Sequence, residues 1–135
     1  MDVARKPASG SKVLVVDDNR TYLRFVETAL QQAGFDVLVS EDIWISQVVA
    51  REQPGLILMD VSIGTTVGTT AVIALKKRSF GQNTRIVLHS SEPPAKLAEL
   101  ARDCNADGYI CKDGNAVNLV REVRSYLSRT GVAHA

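Results

Sequence analysis

The chain has 135 residues, with 16 Lys and Arg against 15 Asp and Glu and a net charge of +1. That length suits one domain with a core of its own, and near-neutrality removes any general drive toward nucleic acid or a membrane surface. No apolar stretch approaches the roughly 20 residues of a membrane helix, and two cysteines, Cys104 and Cys111, are too few for a disulfide framework, which points to a reducing, cytoplasmic setting.

Residues 1–11 carry Arg5 and Lys6 but lack the apolar centre of a secretory signal. With Pro7, Ser9, Gly10 and Ser11 they read as a disordered lead-in. Residues 12–130 read as the domain and 131–135 as a frayed tail.

Within the domain, strand and helix signals alternate. The first strand is expected over Lys12–Val16, followed by a helix over Asn19–Ala33 whose Leu23, Val26, Leu30 and Ala33 form one apolar stripe. Asn19 or Asp18 suits its cap, and Gly34 its stop. A strand over Asp36–Val39 leads to a helix over Ile43–Glu52 that buries Ile45, Val48 and Val49 and ends at Pro54. Trp44 is expected to pack at the edge of that helix, with a partner contact as the alternative. The third strand, Leu56–Met59, is followed by a small-residue loop from Ser62 to Gly68, then by a weakly amphipathic helix over Thr70–Arg78. A fourth strand over Arg85–His89 precedes a helix that Pro94 opens without losing a hydrogen bond, with Leu97, Leu100, Ala101 and Cys104 on one face. A fifth strand over Gly108–Cys111 and a helix over Ala116–Ser128, with Ala116, Val120, Val123 and Leu127 on one face, complete the domain.

Five strand–helix units with right-handed crossovers make a doubly wound parallel sheet. Its strands, covered on both faces, read as short apolar runs, and ligands of such sheets bind at the carboxyl ends of the strands. Four of the runs end on polar residues: Asp17 and Asp18, Asp60, Ser90, and Lys112. Three carboxylates converging on one edge repel each other unless a cation sits among them. A hard cation with oxygen ligands, Mg²⁺ above all, resolves that conflict. A carboxylate can also attack phosphorus, and a lysine ammonium suits phosphoryl oxygens. Each residue also has a plainer use: the aspartates as helix caps, Ser90 as a strand-end hydroxyl, Tyr109 as core, Lys112 as a solvated surface residue and His89 as a packed neighbour.

Asp17-Asp18, Asp60 after an apolar strand, Gly68 eight residues later, Ser90, and Gly108-Tyr109 before Lys112 resemble the receiver domain of two-component response regulators, over about Lys12–Arg129. The resemblance implies a flavodoxin-like strand order of 2-1-3-4-5, which periodicity alone does not fix. It implies that Asp60 accepts a phosphoryl group from a sensor histidine kinase or phosphotransfer protein. Asp18 would ligate Mg²⁺ directly and Asp17 mainly through water, with Asp60 and the backbone carbonyl of Ser62 completing the set. Lys112 would stabilise the phosphorylated state, Ser90 would move toward the phosphate, and Tyr109 would turn inward as the switch aromatic. Output would be read by a protein partner on the face of the fourth helix, fifth strand and fifth helix, with no direct nucleic-acid contact and no membrane insertion. Some receivers pair through the last helix when phosphorylated, so such a homodimer is a further expectation. The chain would be no conventional enzyme, but a phosphoacceptor that promotes its own phosphotransfer and dephosphorylation.

The pattern departs from the family in places. Asp113 follows the lysine where a proline is usual, so a trans bond and a different loop path are expected. Ile63-Gly64 replaces Met-Pro, and Ser91 replaces a small alanine. Ser62 and Glu92 stand where the family tunes phosphate lifetime. Two further readings use the same fold. A pseudo-receiver would keep it as a docking module without phosphorylation. A phosphatase with an aspartyl intermediate would need an acid where Ser62 stands. A flavin-binding protein is disfavoured because Asp17-Asp18-Asn19 would repel its phosphate.

Overall fold

The computed structural model of the chain describes residues 12–63, 66–78 and 84–132. The expected lead-in over 1–11, and His134 with the rest of 133–135, lie outside them. The elements run β1 (Lys12–Val16), α1 (Arg20–Gln32), β2 (Asp36–Ser40), α2 (Ser46–Glu52), β3 (Leu56–Met59), β4 (Ser62–Ile63), β5 (Thr66–Val67), α3 (Gly68–Lys76), β6 (Arg85–Ser90), α4 (Pro94–Cys104), β7 (Gly108–Cys111) and α5 (Ala116–Val132). Five strands form one parallel sheet in the order β2-β1-β3-β6-β7, which is the doubly wound 2-1-3-4-5 order with β6 and β7 as fourth and fifth strands.

Strand side chains alternate between faces, and both faces here are buried. Leu14, Val16, Ile57, Met59, Ile86 and Leu88 pack with Ile45, Val49, Val72, Leu75 and Leu97 on one side. Val13, Val15, Leu56, Leu58, Val87 and Ile110 pack with Leu23, Val26, Leu30, Leu119 and Val123 on the other. The chain ends of β1, β3, β6 and β7 therefore emerge from a dry interior with little freedom.

Helix boundaries follow local chemistry. Asn19 caps α1, its Oδ1 accepting from Tyr22 N–H at 3.0 Å. Gly34, at φ 97°, ends it, with Phe35 N–H returning to the Leu30 carbonyl at 3.0 Å. The α2 helix starts at Ser46, three residues later than expected. Ser40 and Asp42 side chains hold the backbone of residues 40–44 in local turns, Asp42 Oδ1 accepting from Trp44 N–H at 2.9 Å. Trp44 thus lies outside the helix and is 85% exposed, instead of packing at its edge. The expected loop after Asp60 contains a short antiparallel pair, Ser62–Ile63 with Thr66–Val67. Its β-branched residues suit a strand, and Ile63 is buried in the core. The α3 helix begins at Gly68, two residues earlier than expected, and α5 continues to Val132. In α5 the buried stripe runs through Leu119, Val123 and Tyr126, with Ala116, Val120 and Leu127 at its margins.

Tyr126 does more than fill space. Strand β7 is an edge strand, so one side of its backbone lacks a ladder partner. The Tyr126 hydroxyl accepts from Tyr109 N–H at 3.1 Å and donates to the Tyr109 carbonyl at 3.2 Å. The phenol fits because residue 108 is glycine: a Cβ there would lie 2.1 Å from the hydroxyl oxygen. Tyr126→Phe leaves both backbone groups without that partner and should cost about 1–2 kcal/mol of stability, measured by urea unfolding. A loss within a few tenths of a kcal/mol, on the scale of an ordinary surface change, would contradict this role.

Candidate functional site

At the carboxyl edge of the sheet, Asp17 and Asp18 follow β1 and Asp60 follows β3. The β1–β3 register, Val16 opposite Met59, sets the two strand ends side by side. One carboxylate oxygen from each of the three aspartates lies within 4.8 Å of the others. Asp17 is buried, Asp60 is half-buried and Asp18 is exposed, so the cluster is closed at its base and open to solvent at its mouth. Local bonds orient it: Asp17 Oδ1 accepts from Asn19 N–H at 2.9 Å, and Asp60 Oδ1 from Val61 N–H at 2.9 Å.

Lys112, just past β7, enters the cluster. Its N–H donates to the Ser90 carbonyl at 2.8 Å, which continues the β6–β7 ladder and fixes the root of the side chain. Its Nζ lies 2.6 Å from Asp17 Oδ2 and 3.5 Å from Asp60 Oδ1. Asp17 and Asp60 share this ammonium, and Asp18 brings a third carboxylate into the same cluster. All the donors are hard oxygens, the set that suits a small divalent cation.

Ser90 is buried at the end of β6, and its hydroxyl accepts from Glu92 N–H at 3.2 Å. Ser62 is exposed in β4, two residues beyond Asp60. Tyr109 is half-buried against the α2–α4 side of the core. The structure thus brings Asp17, Asp18, Asp60 and Lys112 together, with Ser90 on the adjoining strand end and Tyr109 further along β7. Gly68 sits against Asp60 itself: a Cβ would lie 1.8 Å from the Asp60 carbonyl oxygen. Its N–H also donates to the Val61 carbonyl at 2.6 Å.

Asp113 turns away from the lysine. Its carboxylate accepts from Asn115 N–H at 2.9 Å and Asn118 Nδ2 at 2.8 Å, and these bonds hold its acid below the usual carboxylate range. Asn115 in turn caps α5 through Asn118 N–H at 2.9 Å. The described residues contain no cis peptide bond, in keeping with the expected trans path after Lys112.

His89 is a packed residue, as expected, and 2% exposed. Its Nδ1 lies 2.8 Å from the Ile110 carbonyl, so Nδ1 carries the proton. Burial pushes its pKa down to about 4. Sequence reasoning missed Tyr22. Its ring lies 5.4 Å from both His89 and Phe25, and the Lys112 ammonium sits 4.6 Å from its centroid. The available signal was an aromatic residue in the first helical turn after the aspartate pair.

Comparison with known proteins decides the family. The family model described as "Response regulator receiver domain" matches residues 13–124. The chain belongs to that family. It is 26% identical over 120 residues to the virulence-factor transcription regulator BvgA of Bordetella pertussis, covering 87% of this chain and 56% of that one. It is 25% identical over 121 residues to protein PilG of Pseudomonas aeruginosa, covering 89% and 90%. The chain thus spans a little over half the length of BvgA and most of PilG. In structure it resembles the CheY-like receiver domain from Methanospirillum hungatei, with a TM-score of 0.77 at 20% identity over 90% of this chain and 97% of that one. It also resembles Vibrio cholerae chemotaxis protein CheY4, with a TM-score of 0.75 at 25% identity over 85% and 97%. Receiver domains are the domains of response regulators in two-component signalling, and among the described residues no helix is long and apolar enough to cross a membrane.

The electrostatics of the site predict a pH signature. Burial, with Asp17 adding to it and Lys112 opposing, raises the Asp60 pKa from 3.8 to about 6. The folded protein then binds a proton that the unfolded chain does not, so this group lowers stability as pH rises from about 4 to 6. His89 acts in the opposite sense: its lowered pKa means stability is lost as pH falls from about 6.5 to 4. In the metal-free parent the two slopes oppose. Asp60→Asn removes the slope that opposes that of His89, so its unfolding free energy should climb more steeply with pH between 4 and 6.5 than the parent's. Equal slopes in the two proteins would overturn this assignment of charge.

Proposed function

We propose that this receiver is a phosphorylation switch in which Asp60 accepts a phosphoryl group from the phosphohistidine of a sensor histidine kinase or phosphotransfer protein. The observation that carries the reading is the Lys112 ammonium, lying 2.6 Å from Asp17 and 3.5 Å from Asp60 in a three-carboxylate cluster. An Asp60 oxygen attacks phosphorus, the P–N bond of the donor breaks, and the imidazole leaves with the bonding pair, giving an aspartyl phosphate. Lys112 meets the phosphoryl oxygens as a point charge. Asp17, Asp18 and Asp60, with the Ser62 backbone carbonyl, would hold Mg²⁺, which supplies charge neutralisation and orientation for the transferring group.

The new charge then favours a second arrangement. The Ser90 hydroxyl leaves Glu92 N–H for a phosphoryl oxygen, and the Tyr109 ring moves inward behind it. Its backbone stays pinned by Tyr126, so the movement is one of side chain. The α4–β7–α5 face carries the change to a protein partner. Because the transfer modifies the chain itself, the activity is that of a self-acting phosphoacceptor and not of an enzyme with an outside substrate. The Asp113 replacement leaves this reading intact, since its carboxylate is bound into the start of α5.

Intact mass after incubation with Mg²⁺ and acetyl phosphate tests the reading. The parent should gain one phosphoryl group, and Asp60→Asn none. A parent that gains none would favour the pseudo-receiver, a docking module independent of phosphorylation.

A further inference from the structure

We infer that Tyr22 is a positioning residue for Lys112: the face of its ring holds the lysine ammonium beside Asp60. The inference rests on the reading of Lys112 as the group that meets the phosphoryl oxygens.

The ring is a built surface. Asn19 fixes the Tyr22 backbone at the start of α1. Phe25 and His89 flank the ring, each at 5.4 Å with an interplanar angle of 49°. His89 is itself anchored to the Ile110 carbonyl in the core. Lys112 approaches with its root tied to β6, and its ammonium comes within 4.6 Å of the ring centroid. At that distance an ammonium is attracted by the ring's quadrupole, more strongly where water is excluded. Only 13% of the Lys112 side chain is exposed. Burial, followed by the charges of Asp113 and Asp17, keeps the Tyr22 phenol neutral, so the contact is with the ring face and not with a phenolate.

The contact matters because of what the lysine's other partners do. Its shortest contact is to Asp17, at 2.6 Å, and the next is to Asp60. In the proposed site both carboxylates would also face the cation, Asp60 as a ligand and Asp17 mainly through water, so neither would be left to the ammonium alone. The ring face has no such competitor. A lysine side chain has several soft torsions and much rotamer entropy to lose. Without the ring, those torsions carry the ammonium away from Asp60 once its carboxylate partners are shared.

Two readouts test this. Lysine ε-methylene NMR of the unphosphorylated protein should show Lys112 shifted by the ring current in the parent and in Tyr22→Phe. In Tyr22→Leu and Tyr22→Met it should return to the ordinary lysine position. Phosphorylation by acetyl phosphate at saturating donor should stay near the parent's rate in Tyr22→Phe. In the two ringless variants it should fall roughly 2- to 30-fold, the range of a cation–π contact, with Mg²⁺ affinity unchanged. Tyr22→Met, close in volume, guards against a packing defect in Tyr22→Leu. An unshifted Lys112 in the parent, or ringless variants that phosphorylate at the parent's rate, would overturn the inference. A rate loss in Tyr22→Phe equal to that in Tyr22→Leu would do so as well, because it would assign the effect to the hydroxyl. If the parent takes up no phosphoryl group, the functional reading fails, while the ring-current shift still decides where the lysine rests.

Discussion

The ammonium of Lys112 is held between the carboxylates of Asp17 and Asp60 within a cluster of three converging aspartates, and the surrounding structure is organised around that contact. Two partners at 2.6 and 3.5 Å leave the lysine bound but not neutralising. The remaining negative charge is confined at the end of a sheet buried on both faces, where water screens it less than on an open surface. Such a site stores a demand for positive charge. In the proposed function a divalent cation would meet that demand, and the ammonium would meet the phosphoryl oxygens. Burial, more than the neighbouring carboxylate, raises the Asp60 pKa in the metal-free state.

The parallel ladder supplies the precision. The register of β1 on β3 brings Asp17 beside Asp60, and that of β6 on β7 brings Ser90 beside Lys112. Slipping any of these strands by one residue would turn its apolar side chains to the wrong face, so the core that stabilises the fold also fixes the site. Close backbone approach adds to this: Gly68 lets α3 start directly against the Asp60 carbonyl. At the sheet's edge, Tyr126 and Gly108 finish β7 where, among the described residues, no further strand pairs with it, and thereby hold the strand that carries Tyr109 and leads into Lys112.

The strands and the acidic set were legible in the sequence because burial on both faces leaves plain apolar runs, each ending where the chain meets solvent. Asp17, Asp18, Asp60 and Lys112 follow from those endings. Less legible were features decided by contacts distant in sequence. Tyr22 looks like an ordinary half-buried helix residue until Lys112, some ninety positions later, is seen over its ring. The β4–β5 pair lies in a stretch of small residues whose strand character rests on Ile63 reaching the core. Trp44 and the late start of α2 turn on side-chain bonds of Ser40 and Asp42, which compete with the helix ladder. In α5 Val123 lies in the core with Ala116, Val120 and Leu127 packed against it, while the burial of Leu119 and of Tyr126, hydrogen-bonded to an edge strand, is not visible in the periodicity. The consequence of Asp113 was also hidden: beside Lys112 in sequence, its carboxylate is bound by Asn115 and Asn118.

The central claim is that the excess negative charge at the sheet edge is a cation site. Isothermal titration of the unphosphorylated protein with Mg²⁺, beside Asp17→Asn and Asp60→Asn, tests it most directly. The account predicts one ion per chain in the parent and clearly weaker binding in each variant, because each removes a ligand. Absence of Mg²⁺ binding by the parent in the millimolar range, or equal binding by all three proteins, would contradict it.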